Sequence, residues 1–288
     1  MPCYAGAEDV ASRRPMRRAE AAPSLRHAVV LGLVQGPAEL LPISSSAHTA
    51  LIPWLAGWPY AESGPESRKS FEVALHGGAG LALAFVMGKE LAGPAATRDR
   101  RRALVLALSL GPPALAGYTL RGPIERRLGG PRSIAAGLVA GGAVMALADS
   151  RPAAGHRPRD DARAGDGLAL GIAQSLALIP GVSRNGATLT AARARGFGRA
   201  EAQSLSWRAA LPLILGAGAL EIRRLLNGDA PREMRGPMAA GAGASFLSTL
   251  AGATIVRRAG RDQWPLLPYA LYRFLLAGLV IRRLRRAQ

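Results

Sequence analysis

Residues 27–57 read HAVVLGLVQGPAELLPISSSAHTALIPWLAG, an apolar arm over 27–41, a polar break around Pro42-Ile43-Ser44-Ser45-Ser46, and a second apolar arm over 49–57. Each arm falls short of the ~20 apolar residues that a helix needs to cross a bilayer. Pro42 followed by three serines interrupts a helix inside apolar sequence. Non-helical backbone at membrane depth is tolerated only where protein or a water-filled cavity satisfies it. The stretch therefore predicts the two arms of a re-entrant hairpin. A second such stretch follows, with arms over 167–179 and 186–194 on either side of Pro180-Gly181.

Around these two stretches lie longer apolar runs near 70–93, 103–120, 133–149, 203–221, 237–256 and 265–281. Whole windows of Ala, Leu, Gly and Val exceed the narrow apolar stripe of a soluble amphipathic helix. The expected fold is an all-α polytopic membrane protein of about six transmembrane helices plus two re-entrant helical hairpins in inverted repeats. Residues 1–26 are polar and read as a disordered extension; residues 27–288 form one integral membrane domain, with pseudo-repeats about 27–149 and 167–281. Between the repeats, Ser150 to Asp166 is rich in Pro, Gly and charge and reads as a surface loop. The first apolar arm lacks a small-residue cleavage site and is expected to be retained.

The net charge of +18 over 288 residues raises the question of nucleic acid. A nucleic-acid binder gathers Arg and Lys on one face with aromatics between. Here the arginines sit in connectors, as at Arg100 to Arg102, Arg126 and Arg127, and Arg282 to Arg286. Such placement fits the headgroup zone flanking membrane spans, and no nucleic acid is expected as a partner. Nearly every connector is basic, so the positive-inside rule gives no orientation. Cys3 is the single cysteine, which excludes an intrachain disulfide framework.

The chemistry gathers at the two breaks. A charge at a helix centre costs roughly 2.5–3.5 kcal/mol even on lenient insertion scales, so Glu39, His48 and Arg184 point to function. Gln35 and Glu39 are spaced to share a helix face, and their oxygens suit a hard divalent cation or proton transfer. Ser44, Ser45 and Ser46 sit where freed backbone N–H groups can bind anionic oxygens. His48 is placed to act on the Ser45 hydroxyl if this turn is helical. Arg184, between Ser183 and Asn185 with Thr188 a turn further on, offers a guanidinium fork and hydroxyls to phosphate. An acid/base, nucleophile candidates, an imidazole and an anion clamp in apolar sequence are equipment for phosphoryl chemistry on a lipid-borne substrate.

These motifs resemble the undecaprenyl-diphosphate phosphatase family, membrane enzymes associated with bacitracin resistance. Gln35 to His48 matches the family's Glu/Gln-x-x-x-Glu and Pro-x-Ser-Ser-x-x-His pattern, and Pro180 to Thr188 matches Pro-Gly-x-Ser-Arg-Ser-Gly-x-Thr with Asn185 in place of a serine. Phe71-Glu72-Val73 and Pro268 to Phe274 add further similarity. The resemblance implies hydrolysis of undecaprenyl diphosphate in the bacterial cytoplasmic membrane, at a multi-pass protein whose site opens toward the outer face. It implies a divalent cation, Mg²⁺ or Ca²⁺, on Glu39 and Gln35, with Glu39, Ser45, His48 and Arg184 catalytic. Gln35, Ser44, Ser46, Ser183, Asn185 and Thr188 would contact substrate. Ser45 is the preferred nucleophile with His48 its activator or leaving-group acid; the competing assignment makes His48 the nucleophile. Expected partners are undecaprenyl diphosphate and membrane lipids, with a homodimer as the assembly. Gln35 stands where many relatives carry glutamate, and His76 stands where relatives resemble Gln, adding a titrating group near the site. A lipid flippase without hydrolysis, or a phosphatase for another lipid diphosphate, are the alternative readings.

Overall fold

A computed structural model describes residues 22–91, 100–150, 157–227, 231–258 and 264–286. Most of the proposed N-terminal extension, 1–21, lies outside the described residues. Among those described there is no strand, and the chain runs through ten α-helices: α1 (Leu25–Leu40), α2 (Ser45–Ala56), α3 (Pro65–Leu91), α4 (Arg100–Leu128), α5 (Pro131–Asp149), α6 (Ala164–Leu176), α7 (Arg184–Ala194), α8 (Arg199–Leu226), α9 (Arg232–Arg258) and α10 (Leu267–Arg286). Four of them contain segments long and apolar enough to cross a membrane: Pro65–Gly88, Arg100–Leu120, Pro131–Asp149 and Arg232–Val256. Helices α8 and α10 match these in length but carry Arg208 and Arg273 within them. Large apolar side chains point outward, Phe85 at 75% and Leu275 at 75% exposure among them. A water-soluble monomer rarely leaves so much apolar surface bare, whereas hydrocarbon would cover it.

The short helices flank the two breaks. Helix α1 runs through Pro37 and stops at Leu40, where the Leu41 N–H donates back to Pro37 O at 2.9 Å. The chain then turns through Ser44, whose φ of 75° makes it the single non-glycine residue with positive φ among those described. That conformation costs an L-residue about 1–3 kcal/mol and marks a backbone held by its surroundings. Helix α2 begins at Ser45, four residues before the arm expected at 49–57, so Ser45 and Ser46 lie on its first turn. The second break uses Gly181 at φ 91°, where a Cβ would stand 2.2 Å from Ile134 O. Ser183 then caps α7 by accepting from the Gly186 N–H at 3.1 Å.

Helix packing is reciprocal between the halves. Helix α1 lies along α9, and α6 lies along α4; α3 meets α8, and α5 meets α10. Backbones touch where α1 crosses α9, since a Cβ on Gly36 would stand 2.5 Å from Thr249 N. The same holds where α6 crosses α4, with Gly171 facing Leu108 O at 2.3 Å from an added Cβ. Small residues at such crossings allow van der Waals packing that lipid cannot match.

Arg157, in the Ser150–Asp166 connector expected to face headgroups, is instead ion-paired, and so are Arg193, Arg195 and Arg199. Asp149, at the end of α5, accepts from Arg193 at 3.1 Å, from both Nε and Nη2 of Arg199, and from the Leu266 N–H at 2.8 Å. Asp166, at the start of α6, accepts from Arg157 at 2.5 Å and Arg195 at 2.6 Å. These two carboxylates tie the ends of α5, α6, α7, α8 and α10 together.

Candidate active site

The two breaks meet. Arg184, on the first turn of α7, donates through Nη2 to Glu39 Oε1 near the end of α1. One residue further on each strand of this junction, Asn185 Nδ2 donates to Leu40 O at 2.7 Å. Two consecutive pairs, separated by 145 positions in sequence, thus lock the first motif to the second. The other oxygen of Glu39 accepts from Ser45 Oγ at 2.9 Å and from Gln35 Nε2 at 3.2 Å. Gln35 is fully buried and Glu39 is 7% exposed, while the Arg184 side chain retains 21% exposure and can reach a ligand.

The histidine beside Ser45 is His76 of α3. Its Nδ1 lies 2.8 Å from Glu72 O, a group that only accepts, so Nδ1 carries the proton. That leaves Nε2 facing Ser45 Oγ at 3.3 Å and Glu39 Oε2 at 3.3 Å. His48, expected to act on Ser45, turns elsewhere. Its Nδ1 donates to Ser44 O at 2.7 Å, and its Nε2 accepts from Tyr272 OH of α10 at 2.6 Å, with the two rings parallel. The helical spacing from Ser45 to His48 is real, but a side chain three residues on follows its own tertiary partner.

The remaining expected contacts divide between opening and scaffold. Ser44 is 1% exposed, with Oγ 3.4 Å from Ser46 Oγ. Ser183 Oγ is engaged as the α7 cap. Thr188 is fully buried, its Oγ1 within hydrogen-bonding distance of Arg184 O, Asn185 O and Ser206 Oγ. Asn185 Oδ1 accepts from Gln203 Nε2 at 3.1 Å and Ser206 Oγ at 2.8 Å, both on α8. Asn185 and Thr188 therefore hold Arg184 in place in this geometry, with their polar atoms engaged by α1, α7 and α8. The sequence motifs assign no role to Tyr272, which lies within the Pro268 to Phe274 match, or to Gln203 and Ser206. Gln203 and Ser206 are polar residues three apart in an apolar helix, the same signal that singled out Gln35 and Glu39.

The Asn185 geometry carries a prediction. Asn185→Ala strands Leu40 O, Gln203 Nε2 and Ser206 Oγ, and should lower stability by about 1–3 kcal/mol, the range for buried polar groups losing partners. Asn185→Ser is too short to reach both helices and should fall nearly as far. Thermal unfolding in detergent reads the difference, and equal midpoints for all three proteins would remove the clamp.

An all-helical, membrane-type protein with a carboxylate, a hydroxyl, an imidazole and a guanidinium converging between two helix breaks belongs to the class of enzymes built for phosphoryl groups on lipids. The model for bacitracin resistance protein BacA matches residues 28–279, and the chain belongs to that family. It is 38% identical over 271 residues to a Geobacter sulfurreducens protein named undecaprenyl-diphosphatase, covering 89% of this chain and 97% of the relative. Relatives of the same name from Geobacter metallireducens and Thermomicrobium roseum are each 37% identical, over 88% of this chain and 95% of theirs.

Proposed function

We propose that this chain is an undecaprenyl-diphosphatase of the bacterial cytoplasmic membrane. It hydrolyses undecaprenyl diphosphate to undecaprenyl phosphate and inorganic phosphate, which recycles the lipid carrier for cell-wall synthesis and confers bacitracin resistance. The observation that carries the reading is the junction of Glu39, Ser45 and Arg184: a hydroxyl and a guanidinium on one carboxylate at the meeting of the two breaks. The α1–α2 and α6–α7 pairs are re-entrant hairpins in two inverted halves, and the six longer helices span the bilayer. The reciprocal contacts of α1 with α9 and α6 with α4 support this arrangement.

Arg184 exchanges its bond to Glu39 for the terminal phosphate, whose oxygens match the guanidinium fork. Ser45 Oγ then attacks the terminal phosphorus. The bond from that phosphorus to the bridging oxygen breaks, undecaprenyl phosphate leaves, and the Ser45 proton passes to Glu39 Oε2, its present hydrogen-bond acceptor. Water hydrolyses the phosphoserine and releases inorganic phosphate. His76 Nε2 faces both Ser45 and Glu39 and orients the hydroxyl. His48, one turn along α2 from Ser45, and Tyr272 of α10, which donates to it, would serve the leaving group.

Gln35 and Glu39 would hold a divalent cation, Mg²⁺ or Ca²⁺. Gln35 Oε1 is buried with no hydrogen-bond partner, as an unused hard ligand would be. Among the described residues no cluster of three or more His, Cys, Asp or Glu side chains is suited to a metal. Bound at Gln35 and Glu39, a cation would neutralise phosphate charge.

Purified protein in neutral detergent with Mg²⁺ or Ca²⁺ should release phosphate from undecaprenyl diphosphate. A folded but inert protein would overturn the reading in favour of lipid transport. Ser45→Ala should abolish release, whereas His76→Gln should keep it within about tenfold. A loss of about 10²–10⁴ in His76→Gln would make His76 the proton acceptor instead.

A further inference from the structure

Helices α2 and α10 run side by side outward from the His48–Tyr272 pair. Their side chains Ala47, Leu51, Ala277 and Val280 pack into one apolar cluster with the start of α5. Seven residues beyond His48 stands Leu55, and seven beyond Tyr272 stands Leu279. Seven residues are about two helical turns, or about 10.5 Å, and return to the same helix face. At that level a groove of about 630 Å³ opens, lined by Leu55, Leu279, Arg282, Arg283 and Arg286. Tyr272, Leu279, Arg283 and Arg286 thus lie on one side of α10, and each of them is exposed.

The groove's arginines differ from those gathered at the two breaks and around Asp149 and Asp166. Arg157, Arg184, Arg193, Arg195 and Arg199 all pair with carboxylates. Among the described residues Arg282, Arg283 and Arg286 have no acidic partner, and Arg283 lies with Cζ 5.2 Å from the centre of the Trp54 ring. Three uncompensated guanidinium groups over an apolar floor match a head that carries several negative charges on an apolar chain. A diphosphate prenyl lipid has that form, and a singly charged phospholipid leaves two guanidinium groups without a counter-charge.

We propose that this groove is a docking site for the diphosphate head of the prenyl lipid, occupied before the head moves along α2 and α10 to the Glu39–Arg184 junction. The inference rests on the function proposed above and extends it to substrate capture. The groove is remote from the reacting atoms, so its arginines act on capture and leave the chemical step alone.

The test is a triple variant, Arg282→Gln, Arg283→Gln and Arg286→Gln, assayed in nanodiscs of zwitterionic lipid. KM for undecaprenyl diphosphate should rise about five- to tenfold, as expected for losing several exposed ion contacts, with kcat unchanged. High salt should raise the wild-type KM toward that of the variant by screening the same charges. A triple Lys variant should recover much of the loss. Unchanged KM in a variant with wild-type melting overturns the proposal. So does a loss of stabilisation by phosphatidylglycerol with KM unchanged, which would assign the groove to bulk lipid. Should the wild type release no phosphate, the proposed activity fails separately. Binding of undecaprenyl diphosphate in neutral micelles then decides the docking site: weaker binding by the variant supports it, and equal binding overturns it.

Discussion

Arg184→Ala should lower kcat for phosphate release by about 10²–10³-fold, the range for removing a preorganised charge stabiliser from a reacting oxyanion. Arg184 is held at its guanidinium by one contact and at its backbone by two more. Glu39 accepts from it, Thr188 Oγ1 donates to its backbone carbonyl, and Asn185 fixes the next residue to Leu40. With its backbone already fixed, Arg184 has only its bond to Glu39 to give up when phosphate arrives. Arg184→Lys keeps the charge but loses the planar fork, and should recover only part of the rate. Glu39→Ala should be as inactive and also less stable, because it leaves Arg184 without its counter-ion and Ser45 without its acceptor. Initial rates of phosphate release, read beside thermal unfolding, separate the two effects. In Glu39→Ala/Arg184→Ala stability should return while activity stays absent. A wild-type rate in Arg184→Ala would remove the phosphate clamp and with it the proposed chemistry.

Much of this site could be read from spacing alone. Pro42 and the serines, and Pro180-Gly181, identified both breaks, because a helix interruption in apolar sequence has few structural justifications. The joining of Glu39 to Arg184 was legible only as a need, since each was a charge in apolar surroundings wanting a partner. Partner identity was harder. His48 and Ser45 were linked by helical spacing, yet the imidazole at Ser45 comes from α3 and His48 pairs with Tyr272, 224 positions away. Contacts at such separation depend on how helices cross, which no local pattern carries. Asn185 and Thr188 looked like phosphate donors because they flank Arg184. The structure engages their side chains with α8, contacts that no local pattern announces. The arginine-rich connectors misled for a related reason. Their composition matched headgroup contact, while Asp149 and Asp166, two carboxylates among many cations, gave no local sign of gathering four arginines.

Asp149 supports the second large prediction. Its side chain and that of Arg193 are each 5% exposed, and Arg199 and the Leu266 N–H complete its partners. Asp149→Ala removes the carboxylate that faces the buried Arg193 guanidinium and should destabilise the fold by about 3–5 kcal/mol, the range for breaking a buried pair from one side. Arg199→Ala should be far milder, because that side chain is 33% exposed and water replaces its partner. Arg193→Met removes the buried cation while Asp149 keeps Arg199 and Leu266, and should cost less than Asp149→Ala. The double variant Asp149→Ala/Arg193→Met should then be more stable than Asp149→Ala alone, since the buried cation that had lost its carboxylate at Asp149 is gone. Denaturant or thermal unfolding in detergent measures the series, and phosphate release per folded molecule should stay near wild type because the cluster lies at the far end of α7 from Arg184. Equal loss in Asp149→Ala and Arg199→Ala would show that burial of Arg193 does not set the energy. A double variant no better than Asp149→Ala would place the stability in the Leu266 N–H bond and the start of α10.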